Sequence, residues 1–596
     1  MSPSDLSTAA IDRVKHYHEQ TKHEFNRFAR SLGYLDWANQ PDPFRRFRDA
    51  PLIPLPLLGP DDEPVSPPYE AIFEPRAVPP QPLTLLSLSR FLEYALSITA
   101  WKAYGRTRWA LRSNPSSGNL HPTEGYLFLP PCPALALAPG LYHYAPKEHA
   151  LEQRMVCSPE QARGVMREFP DEAFLVGLSS IYWREAWKYG ERAFRYCQHD
   201  VGHAIGTLRI AAATLGWKLL VLDGTADDTI AALLGLDRRE EFVEREREYP
   251  ELLAVVWPDA QAEERPIPLW LDRTVVENVR ASATWYGRAN RLSRDVPVHW
   301  ELIDEVSEAT WKHEQDERMV SWSGVSSVVS SNDKGRHSFD DQRLTHVAEL
   351  SPRQVTAGQI IHQRRSAVDF DGKTSIPVQR FYAMLRRVMP RSHLSILSRP
   401  VPWDAIPWDP TIHLVVFVHR VEGLAPGLYA LVRHHDHCKQ TELQAAMHEQ
   451  FRWATPPACP PDLPFFLLEE GDVRNLAVQV SCWQDIAGDS AFSLGMLAEF
   501  DQALIQHGPS FYRRLFWEAG LIGHVLYLEA EAAGVRATGI GCFFDDPVHR
   551  LLGVYPETRL QSLYHFTVGG PILDDRLTIL PPYEHLKHER ASPSRS

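Results

Sequence analysis

The hexapeptide Leu137-Ala138-Pro139-Gly140-Leu141-Tyr142 returns unchanged as Leu424-Ala425-Pro426-Gly427-Leu428-Tyr429. Each copy follows an apolar, strand-like run, Gly125–Leu129 in one case and His413–Val418 in the other. A second landmark comes later in each half. Asp227-Asp228, four residues and Leu233-Leu234-Gly235 match Asp545-Asp546, four residues and Leu551-Leu552-Gly553. The offset is 287 residues at the first landmark and 318 at the second, so the second half carries about 31 extra residues between them. Before each acidic pair, apolar residues recur at helical spacing: Phe194, Val201, Ile205, Leu208, Ala212 and Leu215, then Phe511, Leu515, Ala519, Ile522, Val525 and Leu528. Gly216 and Gly534 are placed to stop those helices. Ordered landmarks with matched helices specify a tandem duplication. The expected fold is α+β: two central sheets flanked by helices, with helices 189–215 and 509–533 at the interface of an intramolecular pseudo-dimer.

Around this duplication the chain divides into residues 1–80, a first domain 81–278, a linker 279–355, a second domain 356–586 and a tail 587–596 expected to be disordered. The first region reads as helical over Ile11–Leu32 and Pro-rich from Pro41 to Pro82. The linker is polar, with one helical stretch near Trp300–Lys312 and a Ser-rich segment at Ser321–Ser331. Apolar residues form 44% of the 596, enough for large cores. The 62 basic residues against 76 acidic ones give a net charge of −14, which argues against nucleic-acid or anionic-membrane binding. The seven cysteines are scattered with no C-x-x-C pair, so no disulfide framework is expected and a reducing compartment is favoured. Met1–Gln20 has no apolar core of a signal peptide, and no run of about 18 uncharged apolar residues occurs. These features lead to the expectation of a cytoplasmic protein, monomeric because its dimer-like interface is internal.

Two segments carry candidate chemistry. In the first half, Pro115, Ser116, Ser117, Gly118 and Asn119 gather hydroxyls, an amide and backbone N–H groups in one tight loop. Such a loop can bind the polar edge of a heterocycle or an anion, though the same residues also build plain surface turns. In the second half, Arg364 and Arg365 stand beside Ser366. Paired guanidiniums suit a phosphate, the alternative being a solvated basic patch at a helix end. His434-His435-Asp436-His437-Cys438 has metal-ligating residue types, but adjacent positions cannot all face one ion, and no metal is expected. Gly202-His203 and Gly523-His524 read as packing within the central helices, and Asp227-Asp228 and Asp545-Asp546 as helix N-caps.

Together the two segments resemble the nitroreductase family of flavoproteins, and more closely its SagB/ThcOx-type dehydrogenase branch. The likeness extends to Tyr17–Lys22 and Leu35-Asp36-Trp37, which look like that branch's N-terminal extension. The resemblance implies FMN, its phosphate and ribityl chain held by Arg364, Arg365 and Ser366. It implies that the loop Pro115, Ser116, Ser117, Gly118, Asn119 covers the isoalloxazine, and that Gly539, Ile540 and Gly541 run along the ring. Family members pair two such sites across a homodimer. Here the first half offers only Phe73–Pro79 in place of Arg-Arg-Ser and Lys218–Leu222 in place of Gly-Ile-Gly, while the second offers only Pro400–Trp408 in place of the loop. One FMN per chain is therefore expected. A family position that is often basic is Val368 here. Lys188-Tyr189 matches a pair proposed in azoline oxidases to remove a proton while hydride passes to flavin, so these are the candidate catalytic residues, Lys188 as base. Arg192, Arg195 and Tyr196 could meet an anionic substrate or form a salt-bridged helix face.

The expected function is an FMN-dependent oxidoreductase acting on a small molecule or an azoline-like heterocycle of a modified peptide, with a possible peptide-delivery partner. The alternatives are an NAD(P)H-dependent nitro or quinone reductase, and a non-catalytic flavin-binding or scaffold subunit.

Overall fold

The strands Thr123–Leu129 and Ile412–Val418 are buried at every position. Each can be satisfied only as an inner strand of a sheet covered on both faces. The computed structural model, which describes residues 3–259, 267–313, 355–554 and 559–586, builds one such sheet around each. The first runs, in spatial order, Thr284–Trp285, Ala150–Val156, Gly140–Ala145, Thr123–Leu129, Phe174–Ser180, Tyr249–Pro258 and Trp217–Val221, with Leu52–Pro54 also paired to Ala150–Val156. The second runs Phe465–Glu470, Gly427–Leu431, Ile412–Val418, Phe492–Glu499, Leu560–Gly569 and Arg536–Ile540. All pairings are antiparallel, and the order of equivalent strands is the same. The fold is α+β, in two halves of one design.

The repeated hexapeptide has a structural reason in both halves. A side chain at Gly140 or Gly427 would collide with the neighbouring strand's backbone, at Met155 and Glu469. The tyrosine hydroxyl then folds back to donate to the alanine carbonyl of its own hexapeptide, Tyr142 to Ala138 at 2.6 Å and Tyr429 to Ala425 at 2.7 Å.

Two 22-residue helices, Ala193–Thr214 and Phe511–Ala532, pack on each other between the sheets. They cross at Gly202 and Gly520, where any Cβ would strike the other helix's backbone. Gly216 (φ 65°) and Gly534 (φ 75°) follow these helices in the left-handed conformation that glycine adopts freely. The first helix begins later than the predicted 189, because Gly190 at φ 56° turns the chain against the Arg30 backbone.

Two local expectations are corrected. The helix predicted to reach Leu32 ends at Gln20, because tertiary partners hold the next residues. Lys22 bonds Asp546, the His23 amide bonds the Asp545 carboxylate, and Arg192 bonds the Thr21 carbonyl. Asp227 and Asp545 are not N-caps; the caps are Ala226 and Phe544. Each aspartate is instead the buried partner of an arginine from the opposite half: Arg513 for Asp227, Arg192 and Arg195 for Asp545. Arg192 and Arg195 thus form the salt-bridged helix face rather than an anion site.

The halves also exchange an arm. Thr578–Leu580 pairs with Ile98–Tyr104, which hairpins with Thr107–Arg112. The helix Glu301–Ala309 occupies the expected helical stretch of the linker. Its Ser321–Ser331 segment and the 587–596 tail lie outside the described residues. Among the described residues, no helix is long and apolar enough to cross a membrane.

Candidate active site

The loop before strand Thr123–Leu129 must turn sharply to enter the sheet. Three residues take positive φ there: Gly118 at 58°, Asn119 at 60° and His121 at 52°. The strain is held by side chains. Asp200, on the first long helix, accepts from the Ser117 amide at 2.9 Å and the Ser117 hydroxyl at 3.0 Å. Asn119 donates to the Ala110 carbonyl at 2.9 Å, and Ser116 accepts from the His121 amide at 2.8 Å. Pro115 is buried under this loop and Gly118 is exposed at its tip.

Lys188 and Tyr189 end the helix Tyr182–Tyr189. Both reach Gly118: a Cβ built there would lie 2.6 Å from the Tyr189 hydroxyl and 3.2 Å from Lys188 Nζ. Burial raises the Tyr189 phenol well above its ordinary pKa, so it stays protonated. Two buried acids stand behind the pair. Burial, with Asp200 nearby, pushes Glu185 well up. Burial also lifts Asp200 to about 7 against its serine donors.

From the second half, Arg364 and Arg365 follow the helix Ala357–Gln363, whose start is fixed by a Thr356–Gln359 capping box. Ser366 bridges Ala537 on the strand Arg536–Ile540, so the Arg-Arg-Ser segment and Gly539-Ile540-Gly541 lie side by side. Tyr527 joins them, its hydroxyl 3.0 Å from Ser366 Oγ and accepting from the Gly539 amide at 3.0 Å. Gly539 and Gly541 have no room for side chains, because Tyr564 and Tyr196 press on them. Tyr196 also lies 4.4 Å, ring to ring, from Tyr189, which connects this wall to the Gly118 loop. Arg364 donates to the Arg112 carbonyl at 2.9 Å, on the strand leading into that loop. The segments named from sequence, two from the first half and two from the second, therefore gather in one place.

The cationic end of this place suits a phosphate. The Arg365 guanidinium donates to the carbonyls of His362 and Arg364 and, at 3.4 Å, to Thr99. Burial and the neighbouring Arg364 lower its pKa to about 10. Lys102 is also lowered, by burial and then by Arg365 and Arg536. Among the described residues, none of Arg364, Arg365, Lys102 or Arg536 has a carboxylate within salt-bridge distance. These four cations act on one another, with Glu531 the anionic influence on Arg364, Arg365 and Arg536 and Asp574 that on Lys102, and such a cluster fits a dianion. Beside the loop, the buried Asn114 amide has no hydrogen-bond partner among the described residues, a donor and acceptor suited to the polar edge of a heterocycle. The residues present fit FMN. Lys102, Thr99, Tyr527 and Asp200 were missed in the sequence, because each joins the site through an exchanged hairpin or a central helix.

The pseudo-symmetric position is built from other residues. Trp403 and Asp404, in the second half's counterpart of the loop, are buried, and Asp404 takes a two-pronged bond from Arg209 at 2.8 and 2.7 Å. Arg209 is the counterpart of Tyr527, 318 residues earlier. The counterpart of the Arg-Arg-Ser segment packs its Val78 and Pro79 backbone against Gly216.

Relatives agree with this architecture. A solved structure from Anabaena variabilis, described as a nitroreductase, superposes with a TM-score of 0.61 over 94% of this chain and 99% of its own, at 20% identity. A Methanocaldococcus jannaschii protein named as a nitroreductase is 25% identical over 179 residues, 29% of this chain and 81% of that protein. The E. coli microcin synthetase McbBCD complex is also similar, but at a TM-score of 0.26 and 18% identity that likeness says nothing of function. The Nitroreductase family model matches residues 75–244 and again 361–570. With two matches in tandem and the same sheet built twice, the chain belongs to the nitroreductase family.

Proposed function

We propose that this chain is an FMN-dependent oxidoreductase of the SagB/ThcOx dehydrogenase type, with one cofactor per chain. Bound FMN would supply two-electron chemistry, accepting or releasing hydride. Arg364, Arg365 and Ser366, with Lys102, would hold its phosphate end, and the loop 115–119 with Gly539–Gly541 would flank its ring. The observation that carries the proposal is the convergence of Lys188 and Tyr189 on Gly118, within the cluster that joins both halves.

The roles of the protein's own groups follow. Lys188 Nζ takes a proton from the atom next to the substrate carbon that gives up hydride, and the electron pair left behind forms the new double bond. Tyr189, kept protonated by burial, donates a hydrogen bond that orients the substrate. Glu185, whose carboxylate oxygens have no hydrogen-bond partner among the described residues, stands behind Lys188 as a proton store. The Asp200–Ser117 bonds keep the loop from moving when substrate leaves.

A peptide-sized substrate, such as one carrying an azoline, is supported by the surface beside this end of the helix. Phe25, Phe28 and Trp37 lie on the segment that Gly190 packs against, and with Trp483 they are all more than half exposed. So much exposed aromatic area on a folded chain marks a contact surface.

The test is reconstitution with FMN, desalting and measurement of the flavin-to-chain ratio, followed by turnover of azoline peptides by wild type, Lys188→Ala and Tyr189→Phe. About one flavin per chain, retained in both variants while turnover falls at least a hundredfold in the first, is expected. Colourless protein, or two flavins per chain, would overturn the composite single site. Turnover of nitro or quinone substrates with NAD(P)H but not of azolines would replace the dehydrogenase reading.

A further inference from the structure

Cys482 and Cys542 are 60 residues apart in sequence, and their sulfurs lie 2.7 Å from each other. The other cysteines differ. Cys132, Cys157 and Cys459 spend their thiols on backbone carbonyls, Cys197 is fully buried and Cys438 is exposed alone. The pair is held from both sides. Gln484 donates to the Ser481 and Cys542 carbonyls, each at 2.9 Å, and the Phe544 amide bonds the Val480 carbonyl at 2.9 Å. Cys482 and Trp483 adopt positive φ, 55° and 60°, a strained turn that points one segment at the other. Both cysteines are partly exposed, beside the open indole of Trp483. Cys542 directly follows Gly539-Ile540-Gly541, and Arg192 donates to the Gly541 carbonyl at 3.3 Å.

We propose that Cys482 and Cys542 are a dithiol–disulfide redox centre whose co-reactant is a low-molecular-weight disulfide. The two thiols are unequal. A hydrogen bond between them lowers Cys542 and raises Cys482, so Cys542 is the attacking thiolate and Cys482 keeps its proton until the second step. Cys542 attacks one sulfur of the disulfide, forming a mixed disulfide and expelling one thiolate. Cys482 then loses its proton and attacks Cys542 Sγ, forming the 482–542 bond and expelling the second thiolate. Two electrons leave the protein pair, the co-reactant becomes two thiols, and the two cysteine protons end on them. The centre adjoins the glycine segment of the site, and on the proposed function it can also exchange two electrons with the bound cofactor. That second role alone rests on the flavin reading.

The full-length chain without added flavin is equilibrated in glutathione buffers of stepped ratio, alkylated and analysed by peptide mass spectrometry. A linked 482–542 peptide that appears and disappears with the ratio is expected, and Cys482→Ser should leave Cys542 trapped as a mixed disulfide with glutathione. Alkylation of both cysteines across the whole series overturns the centre. Anaerobic reductive titration of the FMN-loaded, oxidised protein then separates the two roles. Wild type should take up four electrons per chain and the Cys482→Ser/Cys542→Ser double variant two. Two electrons in oxidised wild type overturns exchange with the cofactor. Failure to load FMN overturns the flavin reading and leaves the thiol result standing.

Discussion

The Tyr527 hydroxyl lies 3.0 Å from Ser366 Oγ and 3.0 Å from the Gly539 amide nitrogen, so one side chain of the second long helix fastens two segments of the site together. Tyr527→Phe removes both bonds and little else. A neutral hydrogen bond contributes on the order of 1 kcal/mol. FMN titration should therefore weaken roughly five- to thirtyfold by that figure, with the unfolding midpoint lowered by the loss of two internal bonds. An unaltered flavin affinity would show that Tyr527 has no part in cofactor binding.

Arg365 and Lys102 lack carboxylate partners at salt-bridge distance among the described residues and converge on the same spot. Charge-assisted bonds contribute about 1.5–3 kcal/mol each. Arg365→Ala and Lys102→Ala should each weaken FMN at least roughly tenfold while leaving riboflavin, which has no phosphate, bound as in wild type. Equal losses for both ligands would place the phosphate elsewhere.

Asp200 links pH to stability. Its carboxyl is raised by burial from 3.8 to about 7, so across that window the folded chain keeps a proton that the unfolded chain has released. Stability therefore falls as pH rises from about 4 to 7, each unit representing about 1.4 kcal/mol at most. Glu251, also raised to about 7 by burial, acts in the same direction. Asp200→Asn should flatten, without abolishing, the fall in thermal midpoint between pH 5 and pH 8. An unchanged slope would mean that Asp200 is ionised throughout.

Arg195 meets Asp545 at 2.8 Å and Arg513 meets Asp227 at 2.7 Å, the same ion pair made once in each direction across the halves. Burial opposes ionisation of Asp545, but Arg192 and Arg195 hold its carboxyl below the usual range. Its contribution is present above the unfolded pKa and is lost as pH falls. Asp545→Asn leaves two buried guanidiniums without their carboxylate and should cost roughly 3–5 kcal/mol. Urea denaturation checks the value, and a loss below 1 kcal/mol would show that the pair is dispensable.

Gly118→Ala asks a side chain to accept φ 58° and to share space with the Tyr189 hydroxyl. Turnover should fall at least tenfold through displacement of Tyr189, with stability reduced by about 1 kcal/mol. Wild-type turnover in this variant would remove Tyr189 from the reaction.

The duplication was legible because its signals are local. Gly140 and Gly427 must be glycine where a neighbouring strand passes close, and Tyr142 and Tyr429 bond within their own hexapeptides, so selection on local geometry leaves an identical string. Strand burial and helix periodicity are local too. The Asp227 and Asp545 reading failed for the opposite reason. An aspartate at a helix start looks like a cap, and only the far half reveals that an arginine claims it.

The sequence by itself determined the two α+β halves, their long central helices and the residue types that a phosphate and a flat ring require. Backbone geometry and side-chain periodicity act over a few residues and leave their mark in order along the chain. Tertiary structure alone decided which side chains share a space: Lys102 with Arg365, Tyr527 between Ser366 and Gly539, Arg209 closing on Asp404, Cys482 against Cys542. Those meetings depend on how two sheets and an exchanged hairpin pack, and such packing distances are not written in the spacing of any one segment.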